Sequence, residues 1–202
     1  VIEINKTDAG QTAIQTINIP GTGTSAIRVS GSATSTLYAA NSADGSLFCF
    51  TGHNAENTTS NANTLNPRAA VTVNNEGLVS ISTTYTGTSG NQTRGATTLD
   101  NTDFFIADQG GQYTNGTTAA SPTGNFRAMK TFGGIVYVGR NSSTPGVTEV
   151  ATTSALTGGT ITALPGLSYS NSFQDYYLIS SGSNGTDYDL LYILGATGAT
   201  TG

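Results

Sequence analysis

The chain has 202 residues, of which 36% are hydrophobic and only 9% are charged, and its formal net charge is −5. The apolar residues occur in compact runs that can bury a core, which argues against disorder, and a nucleic-acid partner is not expected because phosphate binding needs clustered Lys and Arg. No apolar run approaches the ~20 residues of a transmembrane helix, so no membrane span is expected.

The sequence predicts an all-β fold with a single β-repeat domain over residues 1–202, because helix formers are sparse and β-branched and aromatic residues are abundant. The first segment, "VIEINKTDAGQTAIQTINIP" at residues 1–20, predicts two strands around the turn "DAG". It begins without Met and without a signal peptide, as a mature, processed or truncated chain does.

An arginine recurs ahead of a short turn and a strongly apolar strand. The four copies are Arg28 before "LYAA", Arg68 before "LVSI", Arg94 before "FFIA" and Arg127 before "IVYV". The arginines lie 40, 26 and 33 residues apart, and "SFQDYYLISSGSNGTDYDLLYILG" forms a further unit without its arginine. Units of roughly 30 to 45 residues with two hairpins each are typical of β-propeller blades.

The predicted fold is therefore a β-propeller-like array of about four to five small antiparallel blades, with a β-sandwich as the alternative. Both faces of "FFIA", "IVYV" and "LLYIL" are apolar, which predicts that these strands lie between two other layers. The pairs Asp44-Gly45, Gly133-Gly134 and Asn184-Gly185 predict two-residue hairpin turns, because such pairs supply positive φ angles.

The two ends of the chain predict a mode of assembly. The chain ends with "DYYLIS" and "DLLYILG", two strands that leave a four-stranded blade incomplete. The hypothesis is that the strand pair in residues 1–20 completes this blade. Within one chain this closes a ring, and between neighbouring chains it makes a head-to-tail polymer. The expected partner is another copy of the chain, bound through the terminal strands as a homo-oligomer or polymer.

Several motifs resemble a known family. The segments "TGTSGNQTRGATTLDNTDFFIADQGGQYTNG", "GNFRAMKTFGGIVYV" and "TALPGL" are similar to recurring motifs of secreted bacterial β-propeller-like surface proteins. The resemblance covers most of the chain from about residue 23 and implies an exported, multi-blade, non-enzymatic protein. Members of that family are longer, which implies that this chain is a fragment or a short member that finds its missing edge elsewhere.

No catalytic site and no cofactor are predicted. Cys49 lies in "SLFCF", which indicates a buried small hydrophobe, and as the only cysteine it forms no internal disulfide. A Ser-His-Asp or Cys-His system would have to use His53, the only histidine, which is interpreted as a loop residue after a strand. No GxSxG motif surrounds a serine. An enzyme site assembled from scattered acids is kept as a third hypothesis.

The acidic groups in "DNTD" and "DYD" are weak calcium candidates, because neither matches an EF-hand loop and Asp is common in metal-free turns. The candidate ligands are Asp100, Asp103, Asp108, Asp187 and Asp189. The four arginines are interpreted as bonding to carbonyls or to an acid of the next blade, which fixes the register. The alternative is that they line a central channel and bind an anion or an acidic sugar. Candidates for a sugar-stacking surface are Tyr113, Tyr137, Tyr169, Tyr176 and Tyr177.

Sequons for N-glycosylation begin at Asn5, Asn57, Asn91, Asn115, Asn141 and Asn184. Low charge, few thiols and much Thr, Ser, Gly and Asn are typical of secreted or surface-displayed proteins. The expected function is that of an extracellular or cell-surface structural protein, which self-assembles as a surface layer or head-to-tail filament and carries glycans. The alternative is a carbohydrate-binding propeller module of a secreted protein.

Overall fold

The computed structural model describes residues 1–4, 7, 9–10, 13–57, 59–141, 148–166 and 172–196. Over these residues the strands form five antiparallel sheets, which are called A to E in chain order. The only helix in this part of the chain is a single 3-10 turn at Ala62–Thr64, and no helix there is long and apolar enough to cross a membrane. The prediction of an all-β fold is confirmed.

The strands follow one another within each sheet in chain order. Sheet A is the hairpin of β1 (Ile2–Ile4) and β2 (Ala13–Thr16). Sheet B contains β3 (Ala40–Asn41), β4 (Leu47–His53), β5 (Arg68–Asn74) and β6 (Val79–Tyr85). Sheet C contains β7 (Thr93–Thr98), β8 (Phe104–Asp108) and β9 (Gly111–Tyr113). Sheet D contains β10 (Phe126–Phe132), β11 (Ile135–Asn141), β12 (Thr148–Thr153) and β13 (Ile161–Ala163). Sheet E is the hairpin of β14 (Ser172–Ile179) and β15 (Leu190–Ala196).

Sheets B to E pack face to face in chain order. Successive side chains of a strand point to opposite faces, so one strand can contact the sheet before it and the sheet after it. In β8, Phe104 packs with sheet B and Phe105 packs with sheet D. In β11, Val138 packs with sheet C and Tyr137 packs with sheet E. The prediction that both faces are buried is confirmed for "FFIA" and for the last three residues of "IVYV", whereas Ile135 is 47% exposed. Each large buried side chain contributes about 1.5–3 kcal/mol of burial free energy.

The same prediction is wrong for "LLYIL" in β15. Leu191 and Ile193 pack against the cluster between sheets D and E. The alternate side chains are exposed by 41%, 59% and 64% at Leu190, Tyr192 and Leu194, respectively. No further sheet follows sheet E within the described residues, so this second apolar face has no layer on it.

Only one of the three predicted two-residue turns has the expected length. Gly133-Gly134 connects β10 to β11 directly, and both glycines have positive φ, 58° and 76°. The pairs Asp44-Gly45 and Asn184-Gly185 belong to longer loops over residues 42–46 and 180–189. In each of these two pairs only the glycine has a positive φ, whereas the tighter turn needs it at both positions.

The strand predicted at "LYAA" is mostly absent, because its backbone finds another partner. β3 spans only Ala40–Asn41, and Leu37 has a φ of 61°. The N–H of Tyr38 donates to the carbonyl of Arg94 at 2.9 Å, and Tyr38 forms a parallel bridge with Gly95. This segment therefore runs along β7 of sheet C. The second strand predicted in residues 1–20 is β2, which ends at Thr16 and leaves the last four residues of that segment outside the sheet.

The sheets differ in how their outer edges are closed. Sheets B and D have four strands each. In sheet C, residues 121–123 cover the edge of β9, where the N–H of Gln112 donates to the carbonyl of Pro122 at 3.0 Å. Sheet E has two strands, and within the described ranges β15 pairs with β14 alone. Of the sheets B to E, sheet E is thus the one for which the described residues supply no outer strands.

The terminal strand pairs do not join in this structure. Sheets A and E are separate two-stranded sheets, and Ile17 and Ile19, which follow β2, pack on sheet B. Completion of the C-terminal sheet by residues 1–20 of the same chain is therefore not seen among the described residues. Completion by a neighbouring chain stays a prediction.

Candidate functional site

Arg68 links sheet B to sheet C in a fully buried polar network. Its Nη1 donates to Asp108 Oδ2 at 2.5 Å, and its Nη2 donates to the carbonyls of Asn63 and Thr88 at 3.1 and 2.6 Å. The hydroxyl of Tyr85 donates to the same carboxylate oxygen at 2.9 Å. Burial, and then the charge of Asp108, raises the pKa of Tyr85, so the hydroxyl stays a donor. This geometry matches the interpretation that an arginine bonds to an acid of the next sheet.

Two other arginines occupy equivalent places in the fold. Arg94 and Arg127 are each the second residue of the first strand of their sheet, β7 in sheet C and β10 in sheet D. The pairing register shifts at both positions, and it shifts again at Gln174 in β14, the first strand of sheet E. A β-bulge of this kind leaves a residue out of the ladder and re-aims its side chain.

Both of these arginines are buried without a carboxylate partner. Arg94 is 3% exposed and donates to the carbonyl of Ser35 and, at 3.4 Å, to Asn125 Oδ1. Arg127 is 8% exposed, and its Nη1 lies 3.5 Å from the hydroxyl of Tyr38. Burial, and then the charge of Arg127, lowers the pKa of Arg94 to about 10. The ion pairs formed by the described residues include neither arginine.

Arg28 differs from the other three arginines because it lies outside the strands of the sheets. Its Nη2 donates to the carbonyl of Ser60 at 2.6 Å, and its backbone exchanges two hydrogen bonds with His53. The four arginines of the sequence repeat therefore occupy three kinds of place. Only Arg94 and Arg127 stand at equivalent positions, so the described residues give no ring of four.

The candidate calcium ligands serve loops instead of forming one site. No group of three or more His, Cys, Asp or Glu side chains able to hold a metal occurs in the described part of the chain. Hydrogen bonds from the N–H of Asp103 and from a second backbone N–H lower the pKa of Asp100. Bonds from the hydroxyl and N–H of Ser181 lower the pKa of Asp189, which shares an exposed loop with Asp187.

His53 is not a loop residue, so that interpretation is wrong. It is the last residue of β4, it is fully buried, and its Nδ1 lies 3.0 Å from the carbonyl oxygen of Leu65. Its Nε2 is buried without a hydrogen-bond partner. Burial lowers the pKa of the imidazole, which favours a neutral ring fixed by one hydrogen bond.

We expect the free energy of unfolding to fall as the pH drops below about 6.5, because the unfolded chain then binds a proton that the buried imidazole of His53 resists. The loss should continue until the pH reaches the depressed folded-state pKa. Urea unfolding between about pH 7 and pH 5 measures this loss of unfolding free energy. Most carboxyl groups have pKa values below this range and therefore contribute little to the change. His53→Gln should flatten this dependence, since no other histidine is present. An unchanged slope in the variant contradicts the assignment.

Cys49 is buried, as the sequence predicts, and lies in the cluster between sheets B and C with Tyr85 and Ile106. Burial, and then the charge of Asp44, raises the pKa of its thiol to about 12. Because the thiolate is the reactive form, this cysteine is unsuited to nucleophilic chemistry at neutral pH. Its side chain acts as a small core residue.

An aromatic cleft of about 360 Å³ lies between the start of sheet B and the ends of sheets D and E. One wall is the polar segment of residues 39–45. The other wall carries Phe132, Tyr177 and Tyr188. The ring centroids of Tyr177 and Tyr188 lie 5.1 and 5.4 Å, respectively, from that of Phe132. Lys130 lines the same wall, where its Nζ donates to Asp175 at 2.9 Å. The cleft thus combines ring faces with hydrogen-bonding groups.

The sugar-stacking surface suggested by five tyrosines does not form as expected. Three of these tyrosines are buried between sheets, at Tyr113, Tyr137 and Tyr176. Tyr169 lies outside the described residues. Tyr177 alone is exposed, by 54%, and it belongs to the aromatic cleft together with Tyr188, which the sequence did not single out.

The outer face of sheet E is apolar and has no covering layer among the residues that the structure describes. Tyr177 pairs across the strands with Tyr192, and Leu190 and Leu194 lie on the same face of β15. These four exposed residues, Tyr177, Leu190, Tyr192 and Leu194, are called the terminal face. It borders the edge of β15 that no described strand pairs with.

The predicted glycosylation sites differ in accessibility. Asn57 and Asn184 are exposed, Asn91, Asn115 and Asn141 are half-buried, and Asn5 lies outside the described residues. The Nδ2 of Asn115 donates to the carbonyl of Thr102 at 2.9 Å and to Asp103 Oδ1 at 3.0 Å. A glycan on Asn115 would replace one of these bonds, and a glycan on the exposed Asn184 would replace the bond from its Nδ2 to Asp189 Oδ2 at 2.9 Å. Exposure favours Asn57 and Asn184 over the half-buried sequons.

Comparison with known proteins gives no relative: no family model, no curated protein and no solved structure matches the chain. The sites are therefore argued from this chain alone. Sequence reasoning missed Tyr38, Gln174 and Tyr188. One signal was available, since "FQ" in "SFQDYY" stands where "FR" stands in "NFRAMK", and this match places Gln174 with Arg127.

Proposed function

We propose that this chain is an extracellular structural protein that self-associates through sheet E, as a surface layer or a head-to-tail filament. The observation that carries the proposal is the terminal face, beside a β15 edge with no partner strand in the described residues. Sheets C and D are covered on both faces by neighbouring sheets, as two-sided apolar strands require. The proposal includes no catalytic step and no cofactor.

The energetics favour covering this face. Burying one large apolar side chain contributes about 1.5–3 kcal/mol, and the terminal face has four such residues at 41% to 64% exposure. An unpaired strand edge also offers a row of N–H and C=O groups to an incoming strand. Strand addition at β15 would satisfy both the edge and the face in one interface.

The proposed occupant is sheet A of a neighbouring chain. It is a separate hairpin of two strands, which is the number that sheet E lacks relative to sheets B and D. All four residues of Ala13–Thr16 are exposed, and Ile14 is 62% exposed. Contact between opposite ends of the chain is heterologous, and a heterologous contact builds rings or open filaments. Such a contact would continue the predicted propeller-like array of blades from one chain to the next.

Leu194→Lys is expected to weaken self-association at least about tenfold, because it places a charge in the proposed apolar interface. Sedimentation equilibrium over a range of protein concentrations measures the change. Leu78→Lys is the matched control, because Leu78 and Leu194 are about equally exposed, by 61% and 64%, and Leu78 lies outside the terminal face. A monomeric native chain, or equal effects of the two variants, contradicts the proposal.

Deletion of residues 1–20 identifies the occupant. If sheet A is the partner of sheet E, the shortened chain loses assembly, and adding the Leu194→Lys variant in excess restores mixed complexes, because that variant still supplies sheet A. If the shortened chain assembles as well as the native one, sheet A is not the occupant. Circular dichroism checks that the shortened chain keeps its strands.

The extracellular location and the glycans are part of the proposal and rest on composition and on exposed sequons. Only 9% of the residues are charged, and Asn57 and Asn184 are exposed in loops. Intact mass of material from the native source tests the glycans. A mass equal to that of the bare polypeptide contradicts this part and leaves the self-association test unaffected.

A second candidate function, carbohydrate binding, is favoured by the aromatic cleft. Sugar rings stack on exposed aromatic faces, and the polar wall at residues 39–45 offers hydrogen-bonding groups to hydroxyls. A glycan array with the native chain and Tyr188→Ala tests this function. Tyr192→Ala is the control, since Tyr192 is exposed but does not line the cleft. Absence of any binding, or equal loss in both variants, rejects the candidate.

A further inference from the structure

We propose that Arg94 and Arg127 form a binding site for one small inorganic anion, at the place where the first strands of sheets C, D and E come together. The site is built by a repeated backbone device. Each of these strands carries a register shift near its start, at Arg94, at Arg127 and at Gln174. Bulges re-aim side chains, and here they do so at the same position of three successive sheets.

The side chains of Arg127 and Gln174 converge on the hydroxyl of Tyr38. The hydroxyl of Tyr38 lies 3.5 Å from Arg127 Nη1 and 3.3 Å from Gln174 Oε1. Arg94 reaches the same region through its backbone and its side chain: its carbonyl accepts from the N–H of Tyr38 at 2.9 Å, and its Nη2 donates to Asn125 Oδ1 at 3.4 Å. Because the backbone of Tyr38 bridges to Gly95, the residue beside Arg94, the hydroxyl is held at the meeting point of the sheets.

Two buried positive charges meet here without a carboxylate. An uncompensated buried charge is strongly destabilising, so buried cations are normally paired. The ion pairs of the described residues are Arg68 with Asp108 and Lys130 with Asp175. The Asp108 carboxylate acts on Arg94 from a distance, but it is already bonded to Arg68 and Tyr85. A bound anion would supply the missing charge.

The two guanidinium groups also have donors to spare. Each guanidinium has five N–H donors in a rigid fork. The Nε of Arg94 and the Nε of Arg127 are both buried without a hydrogen-bond partner. Arg127 makes one side-chain hydrogen bond, to Tyr38, and its 3.5 Å length marks it as weak. A neutral ligand could use these donors, but only an anion also balances the charge.

The ligand class follows from this set of donors. Planar guanidinium forks bind halides and small oxyanions such as sulfate through several charge-assisted hydrogen bonds. The side-chain amide of Asn125, whose Oδ1 accepts from Arg94, lies at the same cluster and carries N–H groups that can also donate to an anion. The anion is therefore a structural ion that joins sheets C, D and E.

Thermal unfolding of the native chain tests the site at constant ionic strength, with bromide or sulfate replacing gluconate. A ligand that binds only the folded state raises the midpoint with RT ln(1 + [L]/Kd), so a saturable rise of several degrees is expected. An anomalous-scattering map of crystals soaked in bromide locates the ion directly. A peak between Arg94 and Arg127 supports the site, and a map with bromide only elsewhere overturns it.

Arg127→Gln is expected to lower the anion affinity at least about tenfold, because it removes one of two charges at the site. Arg28→Gln is the control, since Arg28 is bonded to Ser60 away from the cluster, and it should respond to anions as the native chain does. If Arg127→Gln does not fold, Arg127→Lys keeps the charge and tests the fork. No saturable rise in the native chain, or an unchanged response in a folded Arg127 variant, overturns the proposal.

Discussion

Asp108→Asn is expected to lower the free energy of unfolding by about 3–5 kcal/mol, the usual loss when one partner of a buried ion pair is removed. The substitution keeps the size of the side chain but leaves the fully buried guanidinium of Arg68 without a counter-charge. For a chain of this length the midpoint of thermal unfolding should drop by roughly 10 °C. Denaturant unfolding and calorimetry measure the two quantities.

Two further variants show that the charge pair causes the effect. Asp187→Asn alters an exposed loop acid and should change the unfolding free energy by about 0.5 kcal/mol or less. Arg68→Met combined with Asp108→Leu removes both charges and should recover part of the lost stability, because the charge imbalance is gone while the Tyr85 hydroxyl still loses its acceptor. A small loss in Asp108→Asn, or no recovery in the double variant, shows that the pair is not what holds sheet B on sheet C.

Gly111→Ala is the second large expected effect, at about 3 kcal/mol from steric overlap combined with an unfavourable backbone angle. Gly111 has a φ of 139°, and a Cβ there would lie 2.4 Å from the carbonyl oxygen of Pro122 and 2.8 Å from the Cα of Thr123. Those atoms belong to the backbone that covers the edge of β9, so a side-chain rotation cannot relieve the overlap. Urea unfolding measures the loss.

Gly116→Ala is the matched control for this substitution. Gly116 also has a positive φ, 69°, but nothing lies within 4 Å of the added Cβ. Its expected cost is about 1 kcal/mol, from the backbone angle alone. Equal losses for the two variants would mean that residues 121–123 move aside easily and do not fix the edge of sheet C.

The apolar strands could be predicted from the sequence because their pattern is local. "FFIA" and "IVYV" alternate large side chains that both need burial, and the structure places each between two sheets. "LYAA" shows the limit of this reasoning. Its apolar residues favour a strand of sheet B, but the N–H of Tyr38 donates to the carbonyl of Arg94, 56 residues away. A pairing between such distant segments cannot be predicted from a local pattern.

The sequence shows that an arginine recurs before apolar strands, but it does not show where each arginine lies in its sheet or which group it bonds to. Arg68, Arg94 and Arg127 look alike as letters before an apolar run. In the fold, Arg68 opens the third strand of its sheet and meets Asp108, whereas Arg94 and Arg127 open first strands at bulges. Bulges arise from the pairing of two strands, so a single strand does not reveal them.

By itself the sequence determined that the fold is all-β, where the strongest strands lie, the two-glycine turn at residues 133–134 and the burial of Cys49, because side-chain alternation and backbone preference act over a few residues. Only the tertiary structure decided which faces found a covering sheet and which charges found a partner. Both depend on contacts between segments far apart in the chain. The proposals follow from two outcomes of those contacts, the terminal face of sheet E and the guanidiniums of Arg94 and Arg127, which form no ion pair within the described part of the chain.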